Sequence, residues 1–495
     1  MEQFAAAPLS APLFAPLFDF APHKPQREEM LGLIREFASH DAFRSAVVDE
    51  LELDEDFYRR PLRPEDLDFL KFQKPVSAET VSRLPSLASN RLLLSINELG
   101  IARMPRSGDA QEMARFTAFY SDANQVLAQR IRPFLENYAF NYLAGDDGAG
   151  EGTVESSMRL QALLDVEREH WDDLFAMLIR NNYLEQGLKF ILVQRWSLGT
   201  SRHAALARAA SSAYFSAVPQ EDWPVFNGKS PHEGLLNEVA RHCGVSRRSH
   251  SYWQFYLPTS LAKVNLLYAL GSRPDRAFAL LGAAFAAEAE SIAFVAALLK
   301  ACPHLSRLGG IKAADSRHSA IGLVERFGRA HAALTQRYGA AGTDRVAQGL
   351  TAGIRLAERG RWDLGEQLRW LSSIERYCDW AHVIDRRIQA ECPEIDRETF
   401  VEPREMCSTT HVHNDHRLVV IESGDMIFWG NLGMQLSMTV GDMVLIPDGR
   451  LHGSTVVSEE CTYHQPIIPN EWIADLLSET AIRQPEQQAL ATGTA

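Results

Sequence analysis

The sequence has few cysteines and no surplus of basic residues. Its six cysteines lie far apart and form no CxxC pair, which is typical of reduced cytosolic thiols and excludes a disulfide framework or a zinc ribbon. The formal net charge is −14, and a nucleic-acid binder needs clustered lysine and arginine to displace phosphate counterions. We therefore expect no nucleic-acid partner.

Long hydrophobic runs are absent as well. No stretch reaches the roughly 18 uninterrupted apolar residues that a membrane-spanning helix needs. The N-terminus, MEQFAAAPLSAPLFAPLFDFAPHKP, is apolar, but it lacks a basic start and contains five prolines, so it predicts an irregular arm and not a secretory signal. We expect a cytoplasmic protein with no membrane partner.

Two kinds of hydrophobic pattern divide the chain, whose 495 residues suffice for two or three domains. From about 26 to 395, apolar residues recur three and four positions apart, which is typical of helices. The segment AGDDGAGEG (144–152) has no apolar anchor and divides this part in two. From about 396, short β-branched or aromatic stretches such as RLVVIESG and DMVLIP alternate with glycine, which predicts a small antiparallel barrel or sandwich.

The predicted fold class is thus multidomain, α then β. We predict four segments: a helical domain at 1–150, a second helical domain at 151–395, a β domain at 396–480 and a disordered polar tail at 481–495. The first of these carries no grouping of chemically active residues, so its amphipathic helices predict packing.

Three histidines open the β region in HVHNDHRLVVIESG (411–424). Side chains two positions apart on a strand point to the same side, so His411 and His413 can hold one ion together. A third ligand must come from a later strand, and GDMVLIPDGRLHG places His452 after a Pro-Asp-Gly turn. Three neutral imidazoles leave positions open on a first-row metal, which activation of oxygen or substrate requires.

These residues resemble the two motifs of the cupin family, HxH and G(x5)PxG(x2)H, and residues 441–452 match the second motif at every spacing. Many cupins carry a glutamate four or five residues after the second histidine, where this chain has Arg417 and Leu418. The resemblance implies a three-histidine iron(II) site that reacts with dioxygen, with His416 beside it. The residues alone leave open zinc, manganese, nickel or a barrel without metal.

The second helical region offers carboxylates and histidines in three segments: Glu238 and His250, then Glu288, then Asp315 and His318. Such side chains, facing inward from several helices, are how a helical bundle holds two irons. Their order resembles the heme-oxygenase-like diiron oxidases.

Two departures from that family concern its ligands. Ile311 stands at the first histidine of the HxxxDxxH motif, and no acid occurs from 186 to 220, where the family has a glutamate. The alternative is a heme-oxygenase-like scaffold whose acids and histidines form buried polar pairs. A separate ExxH, Glu167–His170, occurs once, whereas ferritin-like sites need two, so it predicts a surface or interhelical pair.

The whole layout resembles the nitrosourea-forming N-oxygenases, in which a helical region, a heme-oxygenase-like domain and a three-histidine cupin follow one another. The resemblance implies a homodimer formed through roughly residues 26–143. It also implies that two irons in the helical domain hydroxylate nitrogens of an arginine-derived substrate. The cupin iron would then drive an oxidative rearrangement that forms an N–N bond.

We therefore expect an iron-dependent oxygenase acting on an amino-acid-derived amine, guanidine or hydroxylamine, with dioxygen as co-substrate. If the helical site lacks iron, the substrate nitrogen would arrive already hydroxylated, and we favour this version because of Ile311 and the acid-free segment. Two alternatives stay open: a cupin dioxygenase of carbon-centred chemistry and a non-catalytic ligand-binding protein. The catalytic residues, beyond metal ligands, cannot be named from the sequence.

Overall fold

The computed structural model describes residues 16–40, 87–99, 108–143, 152–210, 218–219, 232–245, 249–305, 313–404, 410–431 and 434–477. In the described residues the α-helical region precedes the strands, apart from a short helix at 470–477, so the predicted order of helical domains followed by a β domain is confirmed. Two compact units divide the described residues. The first takes those up to Arg180 and from Ile191 to Leu364, and the second those from Asn181 to Phe190 and from Gly365 onward. The boundaries near residues 150 and 395, and the homodimer, stay predictions.

Twelve α-helices precede the strands in the described ranges. They are α1 Arg27–Ala38, α2 Leu87–Glu98, α3 Ala110–Phe119, α4 Asp122–Phe140, α5 Thr153–Arg180, α6 Leu184–Arg195, α7 Gly199–Ala210, α8 Glu233–His242, α9 Pro258–Gly271, α10 Ala277–Ala301, α11 Ala313–Leu371 and α12 Ile374–Glu391. Helix α11 is interrupted at Gly339, where φ is +69°.

Helix α10 forms the centre of the first unit. Its sequence, AFALLGAAFAAEAESIAFVAALLKA, is apolar on most sides, and nearly all of its side chains are buried. The segment Pro274–Ala301 is long and apolar enough to cross a membrane, but 89% of its apolar window is buried within the protein. Burial of that extent is typical of a core helix.

Small residues let α10 approach α11 closely. A Cβ atom added to Gly349 of α11 would overlap the carbonyl oxygen of Ala279, and one added to Gly282 of α10 would overlap that of Val346. The two backbones are therefore in direct contact, which only glycine permits at these positions.

The second unit contains two antiparallel sheets. Its strands are β1 Thr399–Pro403, β2 His416–Ser423, β3 Met426–Asn431, β4 Met434–Met438, β5 Met443–Ile446, β6 Gly453–Val456, β7 Glu460–His464 and β8 Ile467–Ile468. One sheet has the order β1-β7-β2-β5 with β8 beside β2, and the other the order β4-β3-β6.

The core of this unit joins both sheets to helical residues. Leu418 of β2, Phe428 of β3 and Val444 of β5 belong to one buried cluster with Trp370 of α11 and Ile384 of α12. Burial alternates along β7, where Cys461 and Tyr463 are buried, whereas three successive residues of β5, Val444 to Ile446, are buried, which is typical of a strand covered on both faces.

Candidate metal centre

His411 and His452 face each other across an isolated antiparallel bridge. The His411 N–H donates to the His452 carbonyl at 3.0 Å, and the His452 N–H donates to the His411 carbonyl at 3.1 Å. Because the two residues exchange both hydrogen bonds, their side chains leave the bridge on the same side. Their ring centroids lie 4.5 Å apart.

His413 completes the group, as the two-residue spacing predicts. Its Nε2 lies 3.2 Å from the Nε2 of His411, and one nitrogen from each of the three rings falls within 4.8 Å of the others. Two nitrogens bound to one metal at about 2.1 Å are separated by about 3.0–3.4 Å, so the pair already has the spacing of two ligands. We call His411, His413 and His452 the histidine triad.

The ring of His452 is oriented by its own backbone segment. Its Nδ1 lies 2.9 Å from the carbonyl oxygen of Arg450, so Nδ1 carries the proton and donates it, which leaves the lone pair on Nε2. That Nε2 is buried and makes no hydrogen bond to any described residue. A buried acceptor directed at two other imidazoles is the arrangement that a metal ligand requires.

The turn before His452 is fixed by two contacts. The Gly449 N–H donates to the His413 carbonyl at 2.7 Å, and Gly449 has φ +74°, a left-handed conformation that favours glycine. The buried amide of Gln367 in α11 donates to the Leu451 carbonyl and accepts from the Leu451 N–H, both at 2.9 Å. Gln367 thereby holds the residue next to the ligand.

The environment keeps two rings of the triad, those of His413 and His452, uncharged. Burial, with smaller contributions from His411 and Arg417, lowers the pKa of His413 to about 2. Burial and the neighbouring His411 and His413 hold the pKa of His452 well below its ordinary value. Metals bind the neutral imidazole, so these rings need lose no proton on binding at neutral pH.

Metal-free protein is expected to lose stability as the pH falls below about 6.5, the ordinary histidine pKa. The unfolded chain takes up protons there that folded His413 and His452 do not, so the free energy of unfolding decreases by up to about 1.4 kcal/mol per pH unit for each ring. Urea unfolding of the apoprotein at about pH 7.5 and about pH 5.5 measures this slope. His413→Gln should reduce it, and equal stability at both pH values would contradict the expectation.

The residues flanking the triad make ion pairs and hydrogen bonds of their own. The His416 Nδ1 accepts a hydrogen bond from the Asp448 N–H at 3.0 Å, so His416 supports the Pro-Asp-Gly turn. Arg417, at a position where many cupins have a glutamate ligand, pairs with Glu398 and, at 3.1 Å, with Asp415.

The helical residues predicted to bind iron are in a different situation. Glu238 lies on an exposed part of α8 and pairs with Arg241 at 2.7 Å. Glu288 is buried in α10 and pairs with Arg202 of α7 at 3.3 Å. The side chains of His250, Asp315 and His318, and all of Ile311, lie outside the described residues. Within the described ranges, the histidine triad is the group of three or more metal-ligating side chains that comes together.

No family model matches the chain. A curated relative, the nitrosourea synthase of Streptomyces achromogenes subsp. streptozoticus, is 29% identical over 425 residues, which is 82% of this chain and 88% of the relative. The chain resembles nitrosourea synthase, and it is an enzyme. The resemblance predicted from the motifs and the layout is thereby confirmed.

The similarity to nitrosourea synthase extends over both units, whereas the motifs that suggested it are short. The sequence does not predict the role of Gln367, because it lies in a long helix 84 positions before Leu451, the residue it holds. Trp370, one turn further along, donates its Nε1–H to the Leu445 carbonyl at 3.2 Å. In the sequence, these contacts are indicated only by a glutamine three positions before a tryptophan at the end of an amphipathic helix.

Proposed function

We propose that this enzyme is an iron-dependent oxygenase that acts on a nitrogen atom of an amino-acid-derived substrate, with dioxygen as co-substrate. The observation that carries the proposal is the meeting of His411, His413 and His452, with the buried Nε2 of His452 directed at the other rings. The similarity of the chain to nitrosourea synthase also supports the proposal.

In this proposal the triad would hold one iron(II), which supplies the activation of dioxygen when bound. The protein contributes the orientation and the protonation state of the ligands. The Arg450 carbonyl keeps the proton of His452 on Nδ1, and Gln367 holds the backbone of the preceding Leu451. Phe428 stacks on the His452 ring with centroids 5.6 Å apart and covers one side of it with an apolar surface.

The substrate nitrogen would reach this centre already hydroxylated, and the reaction would be an oxidative rearrangement with N–N bond formation. This version is favoured because Glu238 and Glu288 are each paired with an arginine, which leaves less negative charge for two irons in the helical unit.

Dioxygen consumption tests the proposal. Iron(II)-loaded protein is expected to consume dioxygen with Nω-hydroxy-L-arginine and not with L-arginine, and mass spectrometry should find a product with a new N–N bond. His452→Ala should lower the rate by more than about 100-fold, since loss of a ligand exceeds the 10–100-fold effect of its supporting partners.

His464→Ala is the matched control, because this histidine of the same unit bonds Thr399 and Glu422 and lies outside the triad. It should retain the wild-type rate. Hydroxylation of L-arginine by the His452→Ala protein would refute the proposal, since it would place nitrogen oxidation outside the triad.

A further inference from the structure

A cavity of about 330 Å³ lies inside the first unit, the helical unit, and no residue of the histidine triad lines it. Helices α5, α9, α10 and α11 supply most of its wall, together with the end of α6 and the start of α7. Trp171 and Phe294, with ring centroids 4.8 Å apart, form an apolar side, and Val264 and Leu267 extend it. The volume falls in the range of natural small-molecule sites.

Charged side chains form another part of the cavity lining. Glu290 of α10 is buried and pairs with Lys263 and, at 3.5 Å, with Arg195. Glu167 of α5, also buried, pairs with Arg361 of α11 at 2.6 Å. We call these five residues the charge cluster, and it contains three bases and two acids.

The cluster has an excess of positive charge. Burial acts to raise the pKa of Glu290, but Lys263 and Arg195 outweigh it and hold that pKa below its ordinary value. Burial and the neighbouring Glu290 raise the pKa of Glu167, although Arg361 opposes this. At least one positive charge is therefore not balanced within the cluster, and desolvated positive charge favours an anionic ligand.

Arg195 also connects the two sides of the cavity. Its guanidinium lies 5.2 Å from the centroid of Trp171 and 5.4 Å from that of Phe294. Cation–π contacts on both rings hold it at the junction of the charged and apolar walls. A ligand with a carboxylate at one end and an apolar body would meet complementary groups at both ends.

The three buried acids that the structure describes in this region do not fit a pair of irons. Glu288, Glu290 and Glu167 are all neutralised by arginine or lysine, and a metal ligand would have to give up that partner. A positively charged neighbour within about 4 Å also opposes the approach of a cation.

We propose that the cavity is a metal-free binding site for a small organic carboxylate, recognised by Arg195, Lys263 and Arg361. The carboxylate lies against these bases, and the apolar part of the ligand packs on Trp171 and Phe294. The site is independent of the histidine triad, so its test leaves the proposed oxygenase function untouched.

Calorimetric titration of the full chain with three probes of nearly equal size tests this assignment. The probes are 3-phenylpropionate, the neutral 3-phenylpropan-1-ol and the cationic 3-phenylpropylamine. The anion should bind with a Kd of roughly 1 mM or tighter, the range of ligands of this size, and at least about tenfold more tightly than the other two probes.

Two substitutions with opposite effects separate charge recognition from loss of folding. Lys263→Gln should weaken binding of the anion by about tenfold, because it removes one base. Glu290→Gln should tighten it, because it leaves three bases against one acid. Lys300→Gln is the control: it lies on α10, its ammonium pairs with Asp172 at the surface, and it should bind like wild type.

Three results would overturn the assignment. They are equal or tighter binding of the amine, no binding of any probe by the folded wild-type protein, and weaker binding of the anion by folded Glu290→Gln. Circular dichroism of each variant establishes that it is folded.

Discussion

The double variant His411→Ala/His413→Ala is expected to bind no iron. After anaerobic loading with iron(II) and removal of excess metal, the wild-type chain should hold about one iron and the variant essentially none. The reason is that the two substituted rings supply two of the three nitrogens that lie within 4.8 Å of one another. His452 alone offers a single neutral nitrogen, which does not retain a first-row metal in competition with water.

The variant should remain folded without metal. Replacing His413 removes a ring whose lowered pKa, about 2, makes the folded metal-free protein less stable as the pH falls below about 6.5. Thermal unfolding of the two apoproteins at about pH 5.5 should therefore give a variant at least as stable as wild type. His464→Ala, the control in the same unit, should still bind about one iron.

Other stoichiometries have equally definite meanings. About three irons in wild type, falling to two in the variant, would place a diiron centre in the helical unit and contradict a metal-free cavity there. One iron retained in the variant would remove the triad as the metal site.

The triad shows what a local pattern can predict. The two-residue spacing of His411 and His413 places both side chains on the same side of the chain. The spacing from Pro447 to His452 is set by a single turn. Both signals lie within a dozen residues, where backbone geometry is nearly fixed. The meeting of the rings then follows from the antiparallel pairing of His411 with His452.

The helical region shows where such reasoning ends. Periodicity identifies the face of one helix, but it does not identify the residue that opposes it. Glu288 was predicted as a metal ligand, and its partner Arg202 lies 86 positions earlier in α7, within the acid-free segment. The sequence shows that the segment lacks an acid and contains an arginine. Only the packing of the helices shows that this arginine pairs with Glu288.

The charge cluster was missed for the same reason. Glu290 follows Glu288 by two positions in α10, and Glu167 belongs to the isolated ExxH. Their bases come from α6, α9 and α11, so no single segment contains a recognisable motif. Glu167 of that motif pairs with Arg361 of α11.

Gly349→Ala is expected to destabilise the helical unit by about 3 kcal/mol or more, at the upper end of overpacking effects. The added Cβ would overlap the backbone of Ala279 in α10, and a backbone cannot rotate away as a side chain can. Separation of the two helices would loosen the core around α10, where nearly every side chain is buried. Thermal unfolding should show a decrease in Tm of roughly 6 °C or more.

Gly322→Ala in the same helix distinguishes this steric effect from the general effect of replacing glycine. A Cβ at Gly322 meets nothing within 4 Å, so the substitution should stabilise α11 by up to about 1 kcal/mol through helix propensity. The two variants therefore share helix, residue types and change in composition, and differ only in the surroundings of one methyl group. Helix propensity favours alanine at both positions. A loss of stability confined to Gly349→Ala therefore measures the close contact of α10 with α11. Equal Tm values for the two variants would show that the helices lie further apart.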